Sequence, residues 1–339
     1  MIRNTETPSG QQGLTAALIF GSVVLLAILG AWQFADEGVA PARPEAGQVV
    51  DFAAFRRADP DDIGFREMQC FPSVVTGASG LCAIDSGICV VGSDGAVFLR
   101  EDGEELGRFA FSGAATCVAA GPDQKIYIGF RDRIAVYLPS GLPAADWSSF
   151  GERAVITSVA VVDNGVVVAD SGTRTVWRLD KGGRVLGRIG NTENGKGEGA
   201  LRFIVPSPYF DVADGGDGTF WVANPGEQRL MRLFGAGERL EEWGVGGMGL
   251  GAFCGCCNPA HIAVLPDGGL VTSEKGIPRI SEYSSAGEYR TLVASAGTFG
   301  LSVRPADLAV LKGGHIVVLD TEAQMVRVFE RVPSPDSGG

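Results

Sequence analysis

The chain has 339 residues, 20% of them charged, with a formal net charge of −12 and 50 glycines. That length holds one large β domain plus an appendage. No basic block occurs, and nucleic-acid binding needs a cationic stripe, so the composition argues against a nucleic-acid partner.

Residues 1–13 read as a short N-terminal tail, followed by Leu14–Phe34, a stretch without charge. As a helix its 21 residues span about 31 Å, close to the ~30 Å hydrocarbon core of a bilayer. A secretory signal has a shorter apolar region and a small-x-small cleavage site, so an uncleaved transmembrane anchor is the expectation. Trp32 suits the membrane interface. Arg3 lies on one side of the span, with Asp36 and Glu37 on the other. The positive-inside bias then puts the tail in the cytoplasm. The rest would stand on the periplasmic or extracytoplasmic side of the inner membrane. Residues 35–59 form a linker, Pro-, Ala- and charge-rich over 36–48, and 332–339 read as a disordered tail.

Between linker and tail, residues 60–331 carry six copies of one phrase. Each pairs an apolar strand with a turn and a second apolar strand. The clearest copy runs from Ser158 to Asp170, and the others begin near Cys82, Cys117, Asp211, His261 and Asp307. A third apolar run follows in each, and a more polar fourth, such as Arg184–Ile189, follows that. Asn164-Gly165 and Asp267-Gly268 are expected to supply the positive φ of tight hairpins. A unit of this size cannot bury its own apolar faces and must stack on neighbours. Four strands per repeat match a propeller blade. The sixth unit stops after three strands, and a strand from Ile63 to Gln69 is expected to complete it and close the ring. The fold class is therefore all-β, a six-bladed β-propeller, with a single N-terminal transmembrane helix.

The recurring pattern, apolar-Ala-Val, then Asp-Gly, then Val-Ala-Asp and Arg, resembles the NHL repeat, and Val168–Arg174 in the third unit matches it best. The segments Ile63–Glu67, Val205–Asp211, Phe253–Pro259 and Ser273–Ile277 are similar to a group of membrane-anchored bacterial NHL-repeat proteins. The resemblance implies the fold and an extracytoplasmic setting, and lends no catalytic residues.

Superposing the repeats puts Cys82, Cys117, Ser158, Asp211, His261 and Asp307 at one position, the start of the innermost strand. Innermost strands line a propeller's channel, and concave mouths favour ligands. Carboxylates and an imidazole there suit a divalent metal ion or general acid–base chemistry. The alternative is that these side chains only face the next blade and tie it. Cys254, Cys256 and Cys257 form a second candidate, leading directly to His261. They suit soft-metal or iron–sulfur ligation with His261 as a further ligand, a redox dithiol at the Cys254–Cys257 spacing, or a structural disulfide, Cys254–Cys257 or one reaching Cys70. Cys82 and Cys89 straddle a hairpin and are expected to lie diagonally, as buried thiols. Glu274 matches Asp170, Asn224 and Asp320 in other units and is read as tying off a turn. Residues 191–199 are Gly-rich without the strand–loop–helix context of a phosphate loop. The favoured function is a membrane-tethered module that binds a membrane or periplasmic protein partner. The alternatives are a metal-dependent hydrolase or lyase using the channel, and a redox or metal site at the CGCC segment.

Overall fold

The computed structural model describes residues 58–190 and 201–333. The proposed span Leu14–Phe34 and the Gly-rich loop 191–199 lie outside the described residues, as does most of the tail. Among the described residues no helix is long and apolar enough to cross a membrane.

The described chain is a six-bladed β-propeller of antiparallel four-stranded sheets. It opens with β1 (Phe65–Pro72), which belongs to the last blade. Blade 1 follows as β2 (Gly80–Ile84), β3 (Gly87–Val91), β4 (Gly95–Leu99) and β5 (Glu105–Ala110). Blade 2 is β6 (Cys117–Ala120), β7 (Ile126–Gly129), β8 (Ile134–Tyr137) and β9 (Pro143–Asp146). Blade 3 is β10 (Ile156–Val162), β11 (Gly165–Asp170), β12 (Thr175–Leu179) and β13 (Val185–Gly190). Blade 4 is β14 (Val212–Gly216), β15 (Thr219–Asn224), β16 (Arg229–Phe234) and β17 (Glu238–Trp243). Blade 5 is β18 (His261–Val264), β19 (Leu270–Ser273), β20 (Ile280–Tyr283) and β21 (Tyr289–Ala294). Blade 6 is β22 (Asp307–Val310), β23 (Ile316–Asp320) and β24 (Met325–Arg331), with β1 as its outer strand. The first strands β2, β6, β10, β14, β18 and β22 neighbour one another in that order, and β22 meets β2, so the ring closes.

Each blade is covered on both faces, which explains the unbroken apolar runs. Along β11, Val166 and Val168 pack toward blade 2, with Tyr127 and Val136. Val167 and Ala169 turn the other way, onto Val212, Phe220 and Val222 of blade 4. A strand with one wet face would alternate apolar and polar residues; a strand buried on both faces need not. Each fully buried valine of this kind contributes about 1.5–3 kcal/mol.

Turn chemistry follows the repeat with one exception. Gly268 has the expected positive φ of 81°. The hairpin at Asn164-Gly165 does not use positive φ. Gly165 is required there because a Cβ would lie 2.1 Å from the Leu179 carbonyl oxygen on β12. Gly183, at φ 87°, seats its turn against the indole of Trp147 from blade 2, where a Cβ would come within 2.4 Å of the ring.

The closing strand lies slightly later than Ile63–Gln69. β1 pairs with β24 from Phe65↔Arg331 to Pro72↔Met325. Ile63 instead makes a parallel bridge with Leu292 on blade 5, which displaces the start of the strand. Arg66 pairs with Glu330, and Arg327 with Glu67 at 2.9 Å, so ion pairs stitch the same ladder. A second correction concerns blade 1. Cys82 lies directly opposite Cys89, because a two-residue turn closed by Ile84↔Gly87 fixes the register. Both thiols are free and buried, as expected.

Candidate functional site

Counting back from each first hairpin places one residue of every blade on a common level at the mouth where the innermost strands begin, here the near mouth. These residues are Cys117, Ser158, Asp211, His261 and Asp307. In blade 1 the place belongs to Gly80, since the turn closed by Ile84↔Gly87 leaves Cys82 two residues further along the channel. Cys82, expected on the ring from sequence, therefore stands off it.

Three ring side chains obey one rule: each reaches the backbone just after the ring position of the next blade. The N–H of Val212 donates to Ser158 Oγ at 3.2 Å. The N–H of Ile262 donates to Asp211 Oδ2 at 2.6 Å. The N–H of Leu81 donates to Asp307 Oδ2 at 2.8 Å, joining blade 6 to blade 1. The second oxygens of the two carboxylates accept the N–H groups of Val212 and Leu308, at 3.0 and 2.9 Å. These residues are therefore blade-to-blade ties, the structural alternative raised from sequence.

His261 breaks the rule. Its Nδ1 lies 3.4 Å from Asp307 Oδ1 and 3.8 Å from Asp211 Oδ2. Tyr209 meets the imidazole edge to face at 5.8 Å. The cluster faces a channel cavity of about 370 Å³ whose described lining contains Asp211, Asp214, Asp307 and His261 and no Lys or Arg. Burial pushes the Asp211 carboxyl up to about 6, against the pull of His261 and with the push of Asp307. Burial likewise raises Asp307, and drives the Cys117 thiol up to about 12. The Cys89 thiol beside it, together with burial, holds Cys82 well above its ordinary value. Channel thiols are thus protonated and inert at neutral pH. Among the described residues no three His, Cys, Asp or Glu side chains converge closely enough to hold a metal ion.

The Asp211 shift has a testable sign. The folded carboxyl binds its proton more tightly than the unfolded one, so unfolding releases protons between about pH 4 and pH 6. Stability therefore falls as pH rises through that window, by on the order of 3 kcal/mol from this group. Urea unfolding of wild type and Asp211→Asn across pH 4–7 is expected to show a difference between the two curves that closes by about that amount. Parallel curves would reject the assignment.

The CGCC loop lies at the same mouth, but its cysteines do not group as their spacing suggests. Cys254 is buried, and its N–H donates to Glu274 Oε2 at 3.1 Å. Cys257 neighbours Cys256 instead, Sγ to Sγ 3.3 Å. Cys70 is exposed on β1 in blade 6, and all seven cysteines are free thiols. Glu274 occupies the repeat position of Asp170, Asn224 and Asp320; it does the same work as the first two, while Asp320 accepts the N–H groups of Glu322 and Ala323 in its own turn. Asp170 accepts the Val155 N–H at 2.9 Å, and Asn224 the Ile204 N–H at 2.8 Å, each from the loop leading into its own blade. In blade 5 the glutamate also meets Arg279, 2.5 Å away and equally buried.

Sequence reasoning missed Tyr209, Lys275 and Asn258. The Lys275 ammonium sits 5.5 Å over the Tyr209 ring, linking the CGCC loop to His261. Asn258 is buried and braces both loops. A signal was present in the sequence, because Tyr209, Asn258 and Lys275 fall within Val205–Asp211, Phe253–Pro259 and Ser273–Ile277, segments already singled out there, and they converge here.

The NHL-repeat profile matches residues 303–329, which is blade 6 and not the third unit singled out from sequence. No curated protein matches the chain. Similar solved structures are propellers at low identity. One is a streptogramin B lyase, 12% identical over 79% of this chain and 97% of that chain, TM-score 0.52. Another is a catalytically inactive histidine-to-alanine virginiamycin B lyase from Staphylococcus aureus with quinupristin, 11% identical over 79% of this chain and 99% of that chain, TM-score 0.52. A third is a protein of unknown function from Bacteroides thetaiotaomicron, 12% identical over 74% of this chain and 68% of that chain, TM-score 0.54. At these identities the likeness establishes the fold.

Proposed function

We propose that this NHL-repeat propeller is a binding module, held at the extracytoplasmic face of a membrane by Leu14–Phe34, that docks a protein partner at the far mouth of its channel. One observation carries the reading. Where the innermost strands end, blades 1, 2, 5 and 6 enclose a cavity of about 580 Å³. Ile84, Phe98, Leu106, Ile126, Leu265 and Leu311 line it, between hairpin tips stiffened by Pro122, Pro139 and Pro266. Largely preformed, mostly apolar cavities of this size are where ligands and anchoring side chains seat. Asp85 and Lys312, paired at 2.7 Å on the rim, give the apolar floor a polar edge. An apolar side chain on an extended segment of a membrane or periplasmic protein fits this combination.

The test is co-purification from solubilised membranes. The full chain is expected to recover a partner that a chain ending at residue 59 does not. Recovery of the same partner by residues 1–59 alone would defeat the reading.

The Asp211–His261–Asp307 cluster favours a second reading, acid–base chemistry in the channel, as in a hydrolase or lyase. As placed, each oxygen of the two carboxylates already accepts a backbone N–H, so a divalent ion would have to share those oxygens with the blade ties. A stoichiometric ion that is lost in His261→Ala would support this reading over docking.

A further inference from the structure

The CGCC loop is held more firmly than a surface turn needs. The Asn258 amide donates to the Cys254 carbonyl at 2.7 Å and the Lys275 carbonyl at 2.9 Å, and accepts the Lys275 N–H at 2.7 Å. Gln228, from blade 4, donates to the Gly255 carbonyl. Glu274 holds the Cys254 N–H, and the Cys254 sulfur is occupied, 3.4 Å from Asn258 Nδ2 and 3.6 Å from the Lys275 carbonyl. Cys254 is thereby withdrawn, and Cys256 and Cys257 are left side by side. Cys256 is exposed, while Cys257 is 8% exposed. Burial alone would raise the Cys257 thiol, but the Ser207 hydroxyl, the Cys256 thiol and the Lys275 ammonium outweigh it and hold that thiol below its ordinary value.

Two fates are open to adjacent thiols. Direct oxidation is disfavoured, because neighbouring Cα atoms stand about 3.8 Å apart, inside the roughly 4.4–6.8 Å that ordinary disulfides span. A soft centre bonded to both sulfurs has no such constraint. With thiolate bonds of about 2.3 Å, the observed separation of 3.3 Å corresponds to an angle near about 90° at the bound atom. A linear two-coordinate ion would need about 4.6 Å and a tetrahedral one about 3.8 Å. The bite matches a pyramidal trivalent centre with a lone pair.

We propose that Cys256 and Cys257 form a vicinal dithiol site that captures trivalent arsenic, as arsenite or a monosubstituted organoarsenical, at the near mouth of the channel. Two As–S bonds form and two As–OH bonds break. The two hydroxyls leave as water with the two thiol protons, arsenic stays trivalent and no cysteine is oxidised. Cys257 attacks first, with its thiolate held by Lys275, and the exposed Cys256 closes the ring.

The experiment uses the detergent-purified full chain and phenylarsine oxide, read by intact mass and peptide mapping. One phenylarsine adduct is expected, stable to mercaptoethanol and removed by dithiothreitol. It should map to the peptide holding Cys256 and Cys257, disappear in Cys256→Ser, whose exposed position leaves folding intact, and remain in Cys82→Ser. Lys275→Gln should slow capture without abolishing it. No adduct in the native protein, an adduct that persists in Cys256→Ser, or one that maps to Cys82 and Cys89 would overturn the proposal.

Discussion

Deleting Phe65–Pro72 is expected to abolish cooperative folding of the propeller, and moving the same segment behind residue 333 is expected to restore it. The physical reason is that β1 is the outer strand of blade 6 although it comes first in the sequence. Its pairing with β24 runs through Phe65↔Arg331 to Pro72↔Met325 and supplies on the order of six backbone hydrogen bonds at about 1 kcal/mol each. Phe65 is 5% exposed and adds about 2–3 kcal/mol of apolar burial. The sum is comparable with the whole stability of a typical domain, about 5–15 kcal/mol. Deletion would also bare the long edge of β24, a template for aggregation. Relocation works because Phe65 and Arg331 are register partners, so a hairpin of about 2–5 residues joins them without changing the ladder. Thermal unfolding followed by circular dichroism decides the matter. A deletion variant with a native-like transition would show that closure lies elsewhere, and a relocated variant that stays unfolded would show that β1 acts through its connection to β2.

Arg279→Met is expected to destabilise the propeller by about 3–5 kcal/mol, lowering the midpoint by very roughly 6–20 °C. Arg279 and Glu274 are 4% and 0% exposed, and they meet at 2.5 Å. Removing the guanidinium leaves a buried carboxylate unpaired, and strips donors from the carbonyls of Met248, Gly249 and Ala252, at 3.3, 2.9 and 2.5 Å. Burial already pushes the Glu274 carboxyl up, against the pull of Arg279, so loss of Arg279 favours its protonated form. The double variant Glu274→Leu/Arg279→Met should regain part of the loss, since an apolar pair can replace a buried ion pair. It should not regain the loop, because the Cys254 N–H loses its acceptor. Faster alkylation of Cys254 in the double variant, despite its partly recovered midpoint, is therefore the second readout. Unchanged alkylation in both variants would mean that the ion pair stabilises blade 5 without organising the CGCC loop.

Architecture was readable from the chain because each blade is sandwiched. Runs such as Gly165–Asp170 are buried on both faces, and they stand out without alternation. Turns were less readable: Gly165 needed glycine for clearance beneath the Leu179 carbonyl, a contact with the third strand of the same blade. The ring at the near mouth was read at the right level in five blades and two residues too deep in the first, where Gly80 takes the place assigned to Cys82. What the ring does was not readable. Asp211 meets Ile262 and Asp307 meets Leu81, contacts 51 and 226 residues apart that only the closed ring creates. The CGCC spacing suggested Cys254 with Cys257. The chain turns at Gly255, φ 67°, and sends Cys254 toward Glu274 and the Lys275 carbonyl, and Cys257 toward the Lys275 ammonium.

The far-mouth cavity was not anticipated, since it is assembled from hairpin tips of four blades. It also carries the functional proposal, so the decisive measurement belongs there. Leu106 lines the cavity and is 41% exposed, so Leu106→Glu places a charge on its wall with little effect on the core. Quantitative co-purification from membranes carrying wild type, Leu106→Glu or His261→Ala is expected to show the partner lost only with Leu106→Glu, at an unchanged melting midpoint. Full recovery of the partner by Leu106→Glu, or its loss with His261→Ala alone, would contradict docking at the far mouth.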